Sequence, residues 1–178
     1  MINMAWDRYV ILQNTSGVPL QTDEGGILAT LGHNEFAMHE GSLYVLFDYL
    51  TLSSGGTSSF AVEVPADGEY HLSFQAEGSD GITIDVFRDV LYTGGTPITA
   101  SNANENEACS PGLTTMAGVV VTDFGTRLGG YKVGANKLAG AVEESDGRIL
   151  RNSATYSYLF TSAGADNIIT YKAKWSKE

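Results

Sequence analysis

The sequence predicts an all-β protein, an antiparallel β-sandwich or jelly roll with long loops and an N-terminal arm. The first observation is a period of two in the apolar residues of several segments, because side chains alternate between the two faces of a β-strand. The second is that Gly, Asp and Ser residues, which favour turns, separate these segments. The third is that no segment shows a convincing helical period. About ten short strands are expected, and antiparallel sheets bury their apolar faces against one another.

The central segment, residues 60–97, carries the clearest alternation. Apolar and polar side chains alternate over residues 70–77, and the pattern resumes over residues 82–87 after the turn residues 78–81. This pattern predicts three or four consecutive strands, each with one buried face. The composition of the intervening turns favours hairpin or meander connections between them.

The segments before the centre are assigned by composition and apolar spacing. Residues 1–13 contain Trp6 and Tyr9 and are expected to form an edge strand or an arm that docks on a partner. Residues 42–52 are apolar on both faces of a strand, which indicates burial on both sides or an oligomer contact. The other assignments are a loop over residues 14–26 and short strands over residues 27–31 and 35–39.

The segments after the centre end in two further strands. Residues 154–160 and 168–175 both alternate strictly, with Tyr156, Tyr158, Phe160, Ile169, Tyr171, Ala173 and Trp175 on the apolar faces. Glycine is too frequent over residues 124–147 for a stable helix, so a long loop is expected there. The remaining assignments are an exposed loop over residues 100–112 and a strand over residues 113–122. The predicted division is an arm or edge strand plus loop over residues 1–25 and a sandwich domain over residues 26–178.

The charge balance excludes some partners. Ten Lys and Arg residues against 21 Asp and Glu residues give a formal net charge of -11, so nucleic acid is a poor candidate partner. No apolar run approaches the roughly 20 residues that a membrane-spanning helix needs, so no membrane is expected. No secretory signal is recognised at the start. The single cysteine, Cys109, is consistent with synthesis in a reducing cytoplasm.

The residues that could carry chemistry form no recognisable constellation. Three histidines, His33, His39 and His71, match no closed metal-ligand spacing and are expected at the surface. The paired carboxylates at residues 23–24, 105/107 and 143–146 lie in predicted loops. We therefore expect no catalytic residues, no cofactor and no metal, although calcium at residues 143–146 and a carbohydrate-binding platform of exposed aromatic rings stay open as alternatives. We therefore predict a function in binding and assembly. The predicted protein-interface residues are Trp6, Tyr9, Tyr44, Leu46, Phe47 and Tyr49.

Three segments in order resemble one family. They are MHEGSLY (residues 38–44), GTPITASNANEN (residues 95–106) and GRILRNSATYSYLFTSAGADNIITYKAKWSKE (residues 147–178). Over roughly residues 25–178 the chain resembles the head decoration, or cement, proteins of tailed bacteriophages. Two positions depart from the family pattern: Ser101 stands where Pro is common, and Ser176 where the closing aromatic residue often sits.

The resemblance implies a β-sandwich or jelly-roll virion protein and no enzyme. Such a protein is made in the cytoplasm of the host bacterium, oligomerises, binds the major capsid protein on the outer surface of the capsid, and stabilises the expanded shell. The apolar residues on both faces of residues 42–52 predict a homodimer or homotrimer. The alternative is a β-sandwich module of a phage tail or fibre that binds a receptor or a carbohydrate.

Overall fold

The structure is a computed structural model that describes residues 12–13, 19–22, 28–30, 33–134, 142–143 and 147–177. These residues contain one helix and seventeen strands: β1 (Leu12–Gln13), β2 (Pro19–Thr22), β3 (Leu28–Thr30), α1 (His33–His39), β4 (Leu43–Leu52), β5 (Thr57–Glu63), β6 (Tyr70–Gly78), β7 (Ile82–Arg88), β8 (Leu91–Thr93), β9 (Thr96–Pro97), β10 (Ser101–Asn102), β11 (Thr114–Ala117), β12 (Val120–Asp123), β13 (Thr126–Val133), β14 (Val142–Glu143), β15 (Arg148–Ile149), β16 (Thr155–Ser162) and β17 (Asn167–Lys177). No helix in this part of the chain has the length and apolarity that crossing a bilayer needs.

Two six-stranded antiparallel sheets form the sandwich. The first has the order β10-β4-β17-β6-β14, with β15 also paired to β6, and the second has the order β13-β7-β16-β5-β11-β9. Along the chain, β4, β5, β6 and β7 alternate between the two sheets, and β15, β16 and β17 do so again. This is the connectivity of a jelly roll, in which successive strands lie alternately in the two packed sheets. The predicted fold class is therefore confirmed.

The predicted meander within residues 60–97 is wrong, although its strands are present. The strands β5, β6 and β7 do not pair with their neighbours in sequence, so the turn after β6 crosses from one sheet to the other. The side chain of Asn167, which is fully buried, fixes this crossing: its Oδ1 accepts from the Asp80 N–H at 2.9 Å and its Nδ2 donates to the Gly81 carbonyl at 3.1 Å. The closing strands β16 and β17 also lie in opposite sheets and form no hairpin. Hairpin turns and turns that cross between sheets have the same composition, so the sequence could not distinguish them and suggested hairpins.

Aromatic side chains from both sheets fill the core. Phe60 and Tyr158 come from the second sheet, whereas Phe74 and Tyr171 come from the first. The rings of Phe74 and Tyr158 stack with centroids 4.0 Å apart, and those of Phe60 and Tyr171 are 5.3 Å apart. Each such pair adds about 0.5–1.5 kcal/mol beyond the burial of its apolar area. The inward positions predicted from the alternation of β6, β7, β16 and β17 are all buried.

The strand predicted over residues 35–39 is wrong, because these residues form the helix α1. The helix ends in a Schellman motif: the Gly41 N–H donates to the Met38 carbonyl at 3.1 Å and the Ser42 N–H donates to the Ala37 carbonyl at 2.9 Å. Gly41 adopts a φ of 68°, which a residue with a side chain rarely tolerates. Only Ala37 among the fully described helical residues is buried, so the helix has too short an apolar face to show a period.

Three predicted loops contain strands, and the first of them, over residues 100–112, contains β10, which pairs with β4. The strand β2 lies within residues 14–26 and pairs with β1 and β3 in a small antiparallel sheet of its own. That pairing crosses the predicted boundary between residues 25 and 26. The strand β13 lies within the glycine-rich residues 124–147 and pairs with β7. Its register shifts between Arg127 and Gly129, and glycine in a strand commonly marks such a bulge. The predicted strand over residues 113–122 is divided by Gly118 into β11 and β12.

Candidate interaction surface

The structure describes four of the six predicted interface residues, and it separates them into two pairs. Tyr44 and Leu46 are only 5% and 1% exposed and belong to the core. Phe47 and Tyr49 lie on the other face of β4 and are 64% and 70% exposed. Trp6 and Tyr9 lie outside the described residues. A partner can therefore reach Phe47 and Tyr49, while Tyr44 and Leu46 stabilise the chain's own fold.

Phe47 and Tyr49 are part of a larger surface, which we name the outer-face patch: Phe47, Tyr49, Ile168, Lys172 and Lys174. The strands β4 and β17 pair so that Phe47 lies opposite Lys172 and Tyr49 lies opposite Thr170. Ile168, which is 51% exposed, lies opposite Thr51. Because residues two apart share a face of a strand, these side chains project together from the outer surface of the first sheet. Exposed apolar groups of this size, collected on one surface, are typical of binding sites.

The outer-face patch is basic in an acidic protein. The Lys172 Nζ lies 4.9 Å from the centre of the Phe47 ring, within the range of a cation–π contact. Lys172 and Lys174 are two of only ten Lys and Arg residues in a chain of net charge -11. The carboxylate of Glu77 is nearby, on the residue of β6 that pairs with Thr170. This combination of aromatic rings and amines fits a protein surface that offers apolar groups and carboxylates.

Among the described residues, the strand β4 also presents an open edge. The strand β10 pairs with β4 only at Tyr44 and Val45, and no described strand pairs with residues 46–52 on that side. Asp48 points inward here and accepts a hydrogen bond from the Tyr171 hydroxyl at 2.7 Å. Burial of Tyr171, together with the hydrogen bond and charge of Asp48, raises the pKa of the Tyr171 hydroxyl, so it stays protonated and continues to donate.

The outer face of the second sheet is covered by the chain itself. A ribbon formed by β8 and β12 contacts β5, and the Tyr92 hydroxyl donates to Glu63 Oε1 at 2.6 Å. Burial of Tyr92 and its bond to Glu63 raise the pKa of the Tyr92 hydroxyl to about 12. The outward residues Ala61 and Ser157 are consequently fully buried.

The segments that carry the family resemblance meet at one end of the sandwich. Asn102 Nδ2 donates to the Gly41 carbonyl at 2.7 Å, which joins the second segment to the first. Trp175 of the third segment packs on Tyr44 of the first, with ring centroids 6.0 Å apart. The indole Nε1 of Trp175 also donates to the Pro111 carbonyl at 2.8 Å.

This end of the sandwich holds the loop over residues 100–112 in place. The Asn104 N–H donates to Asn102 Oδ1 at 2.9 Å, and the Asn106 N–H donates to Asn104 Oδ1 at 3.2 Å, so the asparagines order the loop from within. A Cβ added at Gly41 would lie 2.6 Å from the Glu107 Cγ, so this position has room only for glycine. The resembling motifs thus organise a loop and the end of a helix, and the third of them also contributes Ile168, Lys172 and Lys174 to the outer-face patch.

The residues considered for chemistry are dispersed. His39 is exposed on α1, and His71 Nε2 lies 2.9 Å from Glu69 Oε1. Cys109 is exposed, and its Sγ donates to the Ala100 carbonyl at 3.1 Å. Within the described ranges, no group of three or more His, Cys, Asp or Glu side chains is placed to hold a metal ion. Residues 23–24 and 144–146 of the carboxylate pairs lie outside those ranges.

Comparison with known proteins identifies no family. No protein-family description matches the sequence, and no curated protein matches it. Among solved structures, the chain aligns with one titled "Structure of infectious bursal disease virus Gx strain" at 12% identity and a TM-score of 0.10. That alignment covers 90% of this chain and 46% of the other, so the chain spans less than half the length of the viral protein. A TM-score this low carries no argument about fold or function.

Sequence reasoning did not identify Ile168, Lys172 and Lys174 as part of the surface. The alternation of β17 predicted that these residues face away from the core. Their proximity to Phe47 and Tyr49 depends on the pairing of β17 with β4, more than 100 residues away in sequence. No local signal in the sequence specifies that pairing.

Proposed function

We propose that this chain is a structural protein of a tailed-phage virion that binds the outer surface of the capsid and stabilises the expanded shell. The observation that carries the proposal is the outer-face patch, with Phe47 and Tyr49 more than half exposed on a rigid sheet. The jelly-roll connectivity and the three resembling segments support it. In this proposal the partners are the major capsid protein and further copies of the chain, the location is the outer surface of the virion, and the protein performs no catalysis.

The composition of the patch suits this role. Aromatic residues are enriched among those that dominate binding energy, and each costs about 2 kcal/mol or more when truncated at the centre of an interface. The two lysines add attraction to any carboxylates on the partner surface. Many copies on a symmetric lattice gain avidity, so each contact can be modest.

Stabilisation of the shell follows from selective binding. A protein that binds the expanded arrangement of capsid subunits and not the unexpanded or dissociated arrangement shifts the equilibrium towards expansion, by RT ln(1 + [L]/Kd) per site. The gain is about 2.7 kcal/mol per site when the free protein is at a hundred times its dissociation constant.

The direct test is co-sedimentation with expanded capsids that lack the protein. The double variant Phe47→Ser, Tyr49→Ser is expected to bind at least about tenfold more weakly than the natural chain, because it loses two aromatic anchors. The matched control is Leu91→Ser, Val120→Ser, since both residues are 63% exposed but lie on the ribbon that covers the other sheet. Equal weakening in both variants, or weakening in the control alone, would contradict the assignment of the patch.

The alternative function is a receptor- or carbohydrate-binding module of the tail. The exposed ring of Tyr49 favours it, because sugar rings stack on such side chains. A screen of the natural chain against an array of bacterial surface glycans separates the two functions. Glycan binding that is lost in Tyr49→Ser, combined with no binding to capsids, would replace the capsid proposal with this one.

A further inference from the structure

We propose that residues 46–52 of β4 pair antiparallel with the same residues of a second copy, about a two-fold axis at Tyr49. The pairing would join the first sheets of two protomers into one continuous sheet. This inference goes beyond binding to a capsid and does not depend on it, because it rests on the open edge of β4 alone.

The backbone of the open edge is arranged for pairing. The Leu43 carbonyl accepts from the Ala103 N–H on the side of β10, whereas the Ser42 carbonyl accepts from the Lys177 N–H on the side of β17. Backbone groups alternate between the two sides of a strand, and the register of β4 with β17 is unbroken. The N–H and C=O groups of Phe47, Tyr49 and Thr51 therefore point to the open edge.

The strand lacks most of the features that normally prevent pairing at an edge. Natural edge strands are commonly short or carry Lys, Pro or a bulge, and some carry an inward charge. The strand β4 has ten residues, contains no Lys, Pro or Gly, and pairs with β17 without a bulge. Its one charged residue, Asp48, is already engaged by the Tyr171 hydroxyl. The backbone groups of such an edge are free to form hydrogen bonds with a partner strand.

The sequence of the edge selects one register. A two-fold axis at Asp48 would place two carboxylates directly opposite each other, which is unfavourable. An axis at Phe47 would bring Tyr49 of the second copy to Val45, where β10 is already paired. An axis at Tyr49 places Asp48 opposite Leu50 and Phe47 opposite Thr51 of the second copy. This register uses all of residues 46–52 and forms about six backbone hydrogen bonds, two in each of three pairs.

The proposed dimer would enlarge the outer-face patch. The two β4 strands would lie about 4.8 Å apart, with Phe47 and Tyr49 of both copies on the same surface of the joined sheet. If the proposed function holds, this arrangement presents two binding surfaces to the shell in a fixed geometry, and binding by one copy favours binding by the other.

The first test is the mass of the full-length chain by sedimentation velocity at micromolar concentration. The natural chain is expected to be a dimer, and Tyr49→Pro a monomer, because proline removes an N–H that faces the open edge and leaves the bonds to β17. Tyr49→Phe is the control and should remain a dimer, since it keeps the backbone donor and the ring. A natural chain that is monomeric overturns the proposal, even if its edge binds another protein.

The second test fixes the register by cross-linking and does not require the proline variant to fold. With Cys109 replaced by Ser, Tyr49→Cys should form a disulfide-linked dimer on oxidation, because paired Cα atoms lie about 5.5 Å apart. Phe47→Cys alone should not cross-link, since the two Cys residues would be about 13 Å apart at four residues of offset. The double variant Phe47→Cys, Thr51→Cys should cross-link. Efficient linkage of Phe47→Cys alone, or none with Tyr49→Cys, contradicts this register.

Discussion

The two outer faces of the sandwich differ in what covers them. On the second sheet, the ribbon of β8 and β12 lies over β5, and the outward residues Ala61 and Ser157 are fully buried. On the first sheet, no described segment of the chain covers Phe47 and Tyr49, which are 64% and 70% exposed. Both sheets carry apolar groups outward, but within the described ranges the chain itself covers only the second sheet. This difference is why we propose the first sheet as the surface for other molecules.

The largest expected contrast comes from one substitution made on each face. Ala61→Gln should lower the free energy of unfolding by about 2–3 kcal/mol, because it forces an amide and extra volume beneath the ribbon. Thr170→Gln, on the outer face of β17, should change it by about 0.5 kcal/mol or less. Urea unfolding of both variants measures the contrast. Equal losses would mean that the two faces are covered alike.

A second test concerns the hydrogen bond between the Tyr171 hydroxyl and the Asp48 carboxylate. Tyr171→Phe removes the donor that Asp48 uses beneath the first sheet and should cost about 1–3 kcal/mol, because a partly buried carboxylate loses a hydrogen bond. The double variant Tyr171→Phe, Asp48→Leu should recover part of this loss, since both polar groups are then gone. The readout is urea unfolding. No recovery in the double variant would show that the hydroxyl acts independently of Asp48.

The N-terminal residues give a third test, which sharpens the assignment of the uncovered face. Removal of residues 1–11, which include Trp6 and Tyr9, should weaken binding to expanded capsids by about tenfold, or about 1.4 kcal/mol, while the rest of the chain folds. Co-sedimentation gives the affinity, and circular dichroism checks the fold. Unchanged binding would leave the outer-face patch as the whole contact and remove the arm from it.

The smallest expected effect concerns the ribbon on the covered face. The pKa of Tyr92 is raised from 10.0 to about 12 in the folded chain, so its stabilising contribution is complete below pH 10 and is lost as the pH rises towards 12. The stability of the natural chain should therefore fall more steeply over this interval than that of Tyr92→Phe. At neutral pH the substitution should cost about 0.5–1 kcal/mol, because Glu63 is exposed. Parallel pH profiles from urea unfolding would contradict the raised pKa of Tyr92.

Much of the fold could be predicted because apolar and polar side chains alternate along several strands with a period of two. Tyr70 to Ala76 on β6 and Ile169 to Trp175 on β17 alternate strictly, and their inward side chains are buried. The helix α1 was missed because its buried face is short, although Gly41 after a helical turn was an available signal for a helix end. The strand β13 was missed because its glycines, which favour loops elsewhere, sit at a bulge beside β7.

The interaction surface could be predicted only in part, for a related reason. Two apolar faces on β4 indicated a contact, but the sequence does not say which face the core takes. That choice depends on the pairing with β17, which places Leu46 opposite the buried Ala173 and Phe47 opposite Lys172. Likewise, the sequence does not show that Gly41, Asn102 and Trp175 of the resembling segments pack together at one end of the sandwich. Long-range strand pairing, which no local pattern records, decides both outcomes.

The most direct test of the central proposal is a cryo-electron microscopy reconstruction of capsids saturated with the natural chain. We expect density for the jelly roll on the outer surface of the shell, oriented so that Phe47, Tyr49 and Lys172 face the capsid subunits. Density with the ribbon of β8 and β12 against the shell and the outer-face patch in solvent would contradict the proposal, as would density only at the tail.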